Sequence, residues 1–491
     1  MLFPGLILSL SALPTAPATA TPRPLQEPQE ADEAVVDELR DVFDGAALAL
    51  QHEDFATAER RLERASELLV LDLERDPKSL KNLRGITRLL GLCSRLTGER
   101  RSTGVELVRE FLLAVPREVT EEPQGLDARA FIAASAGNLP AVAELQRKTL
   151  ALYVERYPEG HPIVSLARAN LAKTLWNLGS VGEAAELWDA VARARAADSG
   201  PEHEDTLEAL ASLAVAYQAM GDFHKAQQIG DRVLEIREGR LEESDDRLLQ
   251  ARTFVGMNLG MMGELDRARD LLEAVYRSYR EKPATIATFR AASDLSALVL
   301  QMGDYEEAAR LESEALAGYV EVLPTSHPEV LRSRSNLATT LQALGRAEEA
   351  RRLQEEVLVA LDAQREDGDP EVAAARNALG TTLVALGELE DARLLFRTAF
   401  DRLKEVLPSD HPHLRDLRRN LATTLGMQGL WAESIPHFEA VAGWYQAKLP
   451  AGNSLRTQAL EELYEALRRA GGDAERVRRM LEAELGARQD G

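Results

Sequence analysis

The sequence predicts an all-α chain built as a stack of antiparallel helical hairpins, and three observations carry that prediction. The stretch from His327 to Leu361 holds two amphipathic segments: Leu337, Leu341 and Leu344 share one helical face before Gly345, and Ala350, Leu353, Val357 and Leu361 share another after it. Glycine takes the positive φ that ends a helix. It recurs as a join at Gly179, Gly221, Gly263, Gly303, Gly345, Gly387 and Gly429, at intervals of 42, 42, 40, 42, 42 and 42 residues. Two further columns keep this register. Eighteen residues before a join stand His161, His203, Asp245, Thr285, His327, Asp369, His411 and Asn453, the last counted from Gly471. Asp, Thr and Asn are helix-capping types, and Pro162, Pro328, Pro370 and Pro412 follow where a missing amide costs nothing. Five residues after each join comes Ala184, Ala226, Ala268, Ala308, Ala350, Ala392 or Ser434, a side chain small enough for the two helices of a hairpin to approach closely.

Such a period replaces the three domains that 491 residues would suggest with one long array in which each hairpin packs on its neighbours. The formal net charge of −23 argues against nucleic acid or an anionic membrane as the main partner. Arg351/Arg352, Arg418/Arg419 and Arg468/Arg469 sit on predicted helices among carboxylates and read as solvated faces. The single cysteine, Cys93, excludes an internal disulfide or a multi-cysteine metal site.

Along the chain, residues 1–20 read as a cleavable export signal: the apolar run from Leu2 to Leu13, too short to anchor in a bilayer, precedes Ala18-Thr19-Ala20. No Lys or Arg precedes that run. Export would make the protein periplasmic or secreted; without cleavage it would be cytoplasmic. Five prolines between Pro14 and Pro28, followed by acids to Glu33, make residues 21–31 an extended linker. Residues 32–152 read as degenerate helical repeats, with joins at Gly98 and Gly137 and an irregular connection from Val115 to Gly125. Residues 153–446 form the regular array. Residues 447–491 read as a capping hairpin, charged after Gly471-Gly472 and carrying Tyr464 where earlier copies have Ala, Gly or Ser.

Laid out in columns, the repeats resemble tetratricopeptide repeats of the long type found in kinesin light chains. The matching residues are the His-Pro starts (His161-Pro162, His327-Pro328, His411-Pro412) and Asn-Leu-Ala at Asn170, Asn336 and Asn420. The Gly-acid-aromatic joins at Gly221 and Gly303 and the pairs Glu307-Ala308 and Glu349-Ala350 match as well. The resemblance covers about Tyr153 to Gln446. It implies a right-handed α-solenoid whose first helices line a concave peptide-binding groove, with Asn170, Asn336 and Asn420 holding a ligand's backbone. The heptad coiled coil of kinesin light chains has no counterpart here.

From the residues themselves, positions nine, five and two before each join read as one stripe of the first helices, poor in long charged side chains. Small amides and hydroxyls there offer donors and acceptors to an extended backbone. The candidate peptide-binding set is Asn170, Asn258, Asp294, Asn336, Thr340, Asn420 and Thr424, with Arg290 and Arg332 placed to take an acidic side chain or a terminal carboxylate. Against this, a helical Thr also bonds back into its own helix, and the stripe doubles as packing between adjacent first helices. Phe254 and Met257 read as core or as an apolar pocket.

No catalytic residue, metal or cofactor is expected. His161, His203, His327 and His411 each occupy one start per repeat, with neighbouring helices about 10 Å apart. Zinc needs its ligands to converge within about 2 Å of one ion. HExxH, GxSxG and GxxxxGK are absent from the sequence. The function expected is a non-catalytic scaffold binding an extended segment of another protein. The alternative is a regulatory or sensory subunit, for example kinase-associated, that changes curvature on binding.

Overall fold

The computed structural model describes residues 121–409 and 411–489, with residues 38, 41–49, 56–58, 60–65, 68 and 109. The export signal, the proline-rich linker, Cys93 and Gly98 lie outside the described residues. All regular structure among the described residues is helical. Where one long array is expected, the chain divides into two compact units, one ending at Arg240 and the other starting at Leu241.

The first unit contains α1 (Pro123–Ser135), α2 (Leu139–Arg156), α3 (Pro162–Asn177), α4 (Val181–Asp198), α5 (Glu204–Ala219) and α6 (Phe223–Glu238). The second contains α7 (Asp246–Met262), α8 (Leu265–Arg280), α9 (Ile286–Gln301), α10 (Tyr305–Val322), α11 (Pro328–Ala343) and α12 (Ala347–Asp362). It continues with α13 (Pro370–Leu386), α14 (Leu389–Leu403), α15 (Pro412–Met427), α16 (Trp431–Lys448), α17 (Ser454–Arg469) and α18 (Glu475–Gln489). Within each unit every helix packs on the next. This is an α-solenoid of hairpins. No helix among the described residues is long and apolar enough to cross a membrane.

The columns acquire their physical reasons here. Each join glycine has positive φ, +75° at Gly345, where a side chain would be strained. Gly137 joins α1 to α2 in the same way, and α1 starts at Pro123, inside the stretch expected to be an irregular connection. Proline at the first helical position suits α1, because that amide has no intrahelical acceptor. The start-column histidines are caps: the Nδ1 of His161 accepts from the Ile163 amide at 3.2 Å, and that of His327 from Glu329 at 3.2 Å. Asp369 and Asn453 cap in the same manner, at 2.7 and 3.0 Å. Seven residues of the small column, from Ala184 to Ser434, are 0% exposed.

One more column builds the core. Seven residues before a join, a small residue of the first helix faces the residue nine after it. A Cβ on Gly256 would meet Leu272 at 3.1 Å, and one on Gly380 would meet Phe396 at 2.7 Å. The facing residues are Trp188, Leu272, Phe396 and Phe438, all buried, and each apolar side chain so buried contributes about 2 kcal/mol. In the hairpin α9–α10 the same place holds Glu312, and in α11–α12 it holds Gln354.

Candidate functional site

The structure turns the first-helix ladder by one position. Residues advance about 100° each around a helix, so position minus five lies about 40° from minus nine toward the buried leucines. Position minus six lies about 60° to the other side. The column at minus five is accordingly core: Thr174, Asn258, Leu298, Thr340, Thr382 and Thr424 are buried. Thr340 and Thr424 donate to the carbonyls of Asn336 and Asn420 in their own helices, at 3.1 and 2.7 Å, and Asn258 is 0% exposed. These three leave the ligand-contacting set. Lys173, Thr339, Thr381 and Thr423, six before their joins, are exposed beside the half-buried column at minus nine and the exposed one at minus two.

Of the three asparagines, Asn420 is engaged already, its Nδ2 donating to Asn377 Oδ1 at 2.8 Å and tying α15 to α13. The side-chain amides of Asn170, in the first unit, and Asn336, in the second, are half-buried and accompanied by no recorded hydrogen bond. Met257 is half-buried beside Phe254 on α7.

A charged cluster interrupts the ladder where α9 and α11 pack over α10. Arg290 Nη2 donates to Glu329 Oε1 at 2.9 Å, and Arg332 Nε to Glu329 Oε2 at 3.0 Å. One carboxylate therefore holds both arginines expected to receive a ligand's acid. Burial works against the Glu329 charge, but Arg332 and Arg290 outweigh it and hold the carboxyl below its usual range. Sequence reasoning passed over Glu329, although its place three residues before Arg332 was a visible signal.

Beneath the seam lies Glu312. Its Oε1 accepts from Ser293 at 3.0 Å and from Ser333 at 2.6 Å, bridging α9, α10 and α11. Its Oε2 is buried without a hydrogen-bond partner, as is the hydroxyl of Tyr319 two turns further along α10. Burial pushes the Glu312 carboxyl up, against the bonds from Ser333 and Ser293. Asp294, in the half-buried column, is pushed up to about 6 by burial, opposed by Arg332 and Arg290 and reinforced by Glu312 and Glu329. The corresponding polar contact one hairpin on is neutral: Gln342 Nε2 donates to Thr382 Oγ1, which donates to Gln354 Oε1 at 2.6 Å.

Stacked hairpins with a ladder of small polar groups on their first helices define a helical-repeat solenoid. A tetratricopeptide repeat model matches residues 163–239 and 329–405, and a second model of the tetratricopeptide repeat matches 288–329. These stretches of the chain are tetratricopeptide repeats. No curated protein matches it by sequence. Among solved structures it is similar to a putative kinesin light chain from Podospora anserina, at 23% identity over 43% of this chain and 100% of that one, with a TM-score of 0.39. The apo quorum sensor NprR of B. thuringiensis shares 15% identity, over 84% of this chain and 99% of that one, with a TM-score of 0.50. A signal-transduction ATPase with numerous domains and a tetratricopeptide repeat sensor, from Pyrococcus horikoshii, shares 12% identity. That match covers 87% of this chain and 72% of that one, with a TM-score of 0.51. These likenesses concern the fold.

Proposed function

We propose that the protein is a non-catalytic interaction scaffold whose first-helix face binds an extended segment of another protein. The observation that carries this reading is the half-buried ladder itself. At Asn170 and Asn336 it presents half-buried amides with no bond of their own, beside the exposed Lys173 in one case and Thr339 in the other. A half-buried amide with spare donors and an acceptor gains most from a partner that is itself an unpaired backbone. Tetratricopeptide repeats are generally non-catalytic scaffolds, which agrees with the reading.

The test is capture from native extract by the full chain and by the Asn170→Ala/Asn336→Ala variant, followed by affinity measurement on the captured protein's segment. Loss of about tenfold or more in affinity, with an unchanged circular dichroism melt, supports the assignment. An affinity unchanged by the double substitution refutes it.

A regulatory role is the second reading, favoured because two chains of this fold are a quorum sensor and a sensor-bearing signalling ATPase. It requires a change of shape, so superimposable X-ray scattering curves with and without saturating ligand would refute it. Cleavage after Ala20, with export of the mature chain, belongs to the same proposal; the intact mass of the protein from its native source tests it.

A further inference from the structure

We propose that the second unit binds its ligand through a cationic side chain, lysine or arginine, seated at Asp294 between α9 and α11. This specifies the ligand class for the first-helix face and rests on the reading of that face as the binding surface.

Pairing is the first support. At the seam two carboxylates, Asp294 and Glu329, face two guanidiniums, Arg290 and Arg332, while burial favours the neutral form of the Glu312 acid beneath them. Both guanidiniums are bonded to Glu329. Asp294 feels their field, yet no hydrogen bond or ion pair is recorded for its carboxylate. An acidic ligand would add a third carboxylate and would have to displace Glu329 from the arginines. A cation supplies the partner that Asp294 lacks. A half-buried carboxylate without a partner gains a charge-assisted hydrogen bond only from a donor brought by the ligand.

The second support is independent of Asp294. Glu312 is 0% exposed, and its Oε2 lacks any hydrogen-bond partner. Its other oxygen is held by Ser293, next to Asp294, and by Ser333, next to Arg332, so the carboxylate sits directly under the seam. A buried acid with an unmet oxygen sets that one point of the face apart, because neighbouring hairpins carry Leu272 and Gln354 in its place.

The probe is a random decapeptide library displayed with both ends blocked, selected on the full chain at pH 7.5. Parallel selections use Asp294→Asn and, as a charge control, Asp391→Asn, an exposed acid on α14. We expect the wild type and the Asp391→Asn control to enrich lysine or arginine at one position of the recovered peptides, and Asp294→Asn to lose that enrichment. For a recovered peptide, replacing the cation by norleucine lowers affinity by about tenfold on the wild type and by less than twofold on Asp294→Asn. Enrichment of acids, or of no charge at all, overturns the proposal while leaving the face a peptide-binding surface. Equal losses on the wild type and on Asp294→Asn overturn it too, because the cation is then drawn only by the net charge. If no peptide binds any of the three proteins, the reading of the face fails, and this inference fails with it.

Discussion

Asp294→Asn should make the protein more stable at neutral pH and change little at acid pH. Burial lifts this carboxyl from its ordinary 3.8 to about 6 in the folded chain. The folded state thus binds the proton more tightly than the unfolded one, and stability falls as pH rises from about 4 through about 6. Ionising the group in the folded state costs at most about 3 kcal/mol, and relaxation of the exposed edge of the side chain reduces that to about 1–2 kcal/mol. Asparagine keeps the shape and carries no charge, so the variant escapes this cost above pH 6. Unfolding of repeat arrays departs from two-state behaviour, so hydrogen exchange of the α9 and α11 amides is the suitable assay, with wild type and variant compared at each pH. The expected result is protection about tenfold greater in the variant at pH 7.5 and equal protection at pH 4. Protection equal at both values, or lower in the variant at pH 7.5, would mean that the carboxylate is compensated within the fold, and the case for a ligand cation would lose its first support.

Other substitutions probe the framework around the site. Gly380→Ala places a Cβ at 2.7 Å from the Phe396 ring, which is itself buried, and should cost about 1–3 kcal/mol, seen as faster hydrogen exchange of the α13 and α14 amides. Gly443→Ala, in the middle of α16 with nothing within 4 Å, should instead stabilise by about 0.5–1 kcal/mol. His327→Ala removes the acceptor for the Glu329 amide and should cost about 1 kcal/mol, seen as faster exchange in the first turn of α11; His327→Asp should restore the protection. Glu312→Gln keeps an acceptor for Ser293 and Ser333 and removes a charge that burial disfavours, so its melting temperature should exceed the wild type's at pH 7.5 and the gap should narrow as pH falls.

The architecture was legible because it is repeated. One glycine at positive φ says little, but the joins from Gly179 to Gly429 at a nearly constant interval leave only a helical hairpin as the unit. The same repetition made the histidines interpretable: each sits one residue before a helix, and the structure shows them capping it rather than approaching one another. What failed was phase. Columns at minus five and minus six both hold threonines in several copies, and composition alone does not say which row the helix turns inward. The inward row proves to be the one beside Leu171 and Leu337, where Thr340 and Thr424 bond back into their helices and satisfy their hydroxyls without a ligand.

The charged cluster shows a different limit. Arg290 and Arg332 stood out as cations on a face poor in charge, but whether a cation is available depends on which carboxylate reaches it. Glu329 reaches both, which reverses the sign of the group expected from the ligand. Glu312 carried the stronger signal: in the core column nine residues after the join it stands where Trp188, Leu272, Phe396 and Phe438 stand in other copies. An acid there forfeits about 2 kcal/mol of apolar burial and incurs a desolvation cost that Ser293 and Ser333 only partly offset. The hairpin α11–α12 marks the limit of what packing demands. Its Gln354 accepts from one first-helix hydroxyl, Thr382 of α13, with no charge at all. An acid at position 312 is therefore more than the packing demands, and like Asp294 it is a group whose ionisation the fold opposes. Two acids that each weaken the array at neutral pH, Asp294 on the half-buried face and Glu312 in the core beneath it, are better explained by what the face binds than by what they hold together.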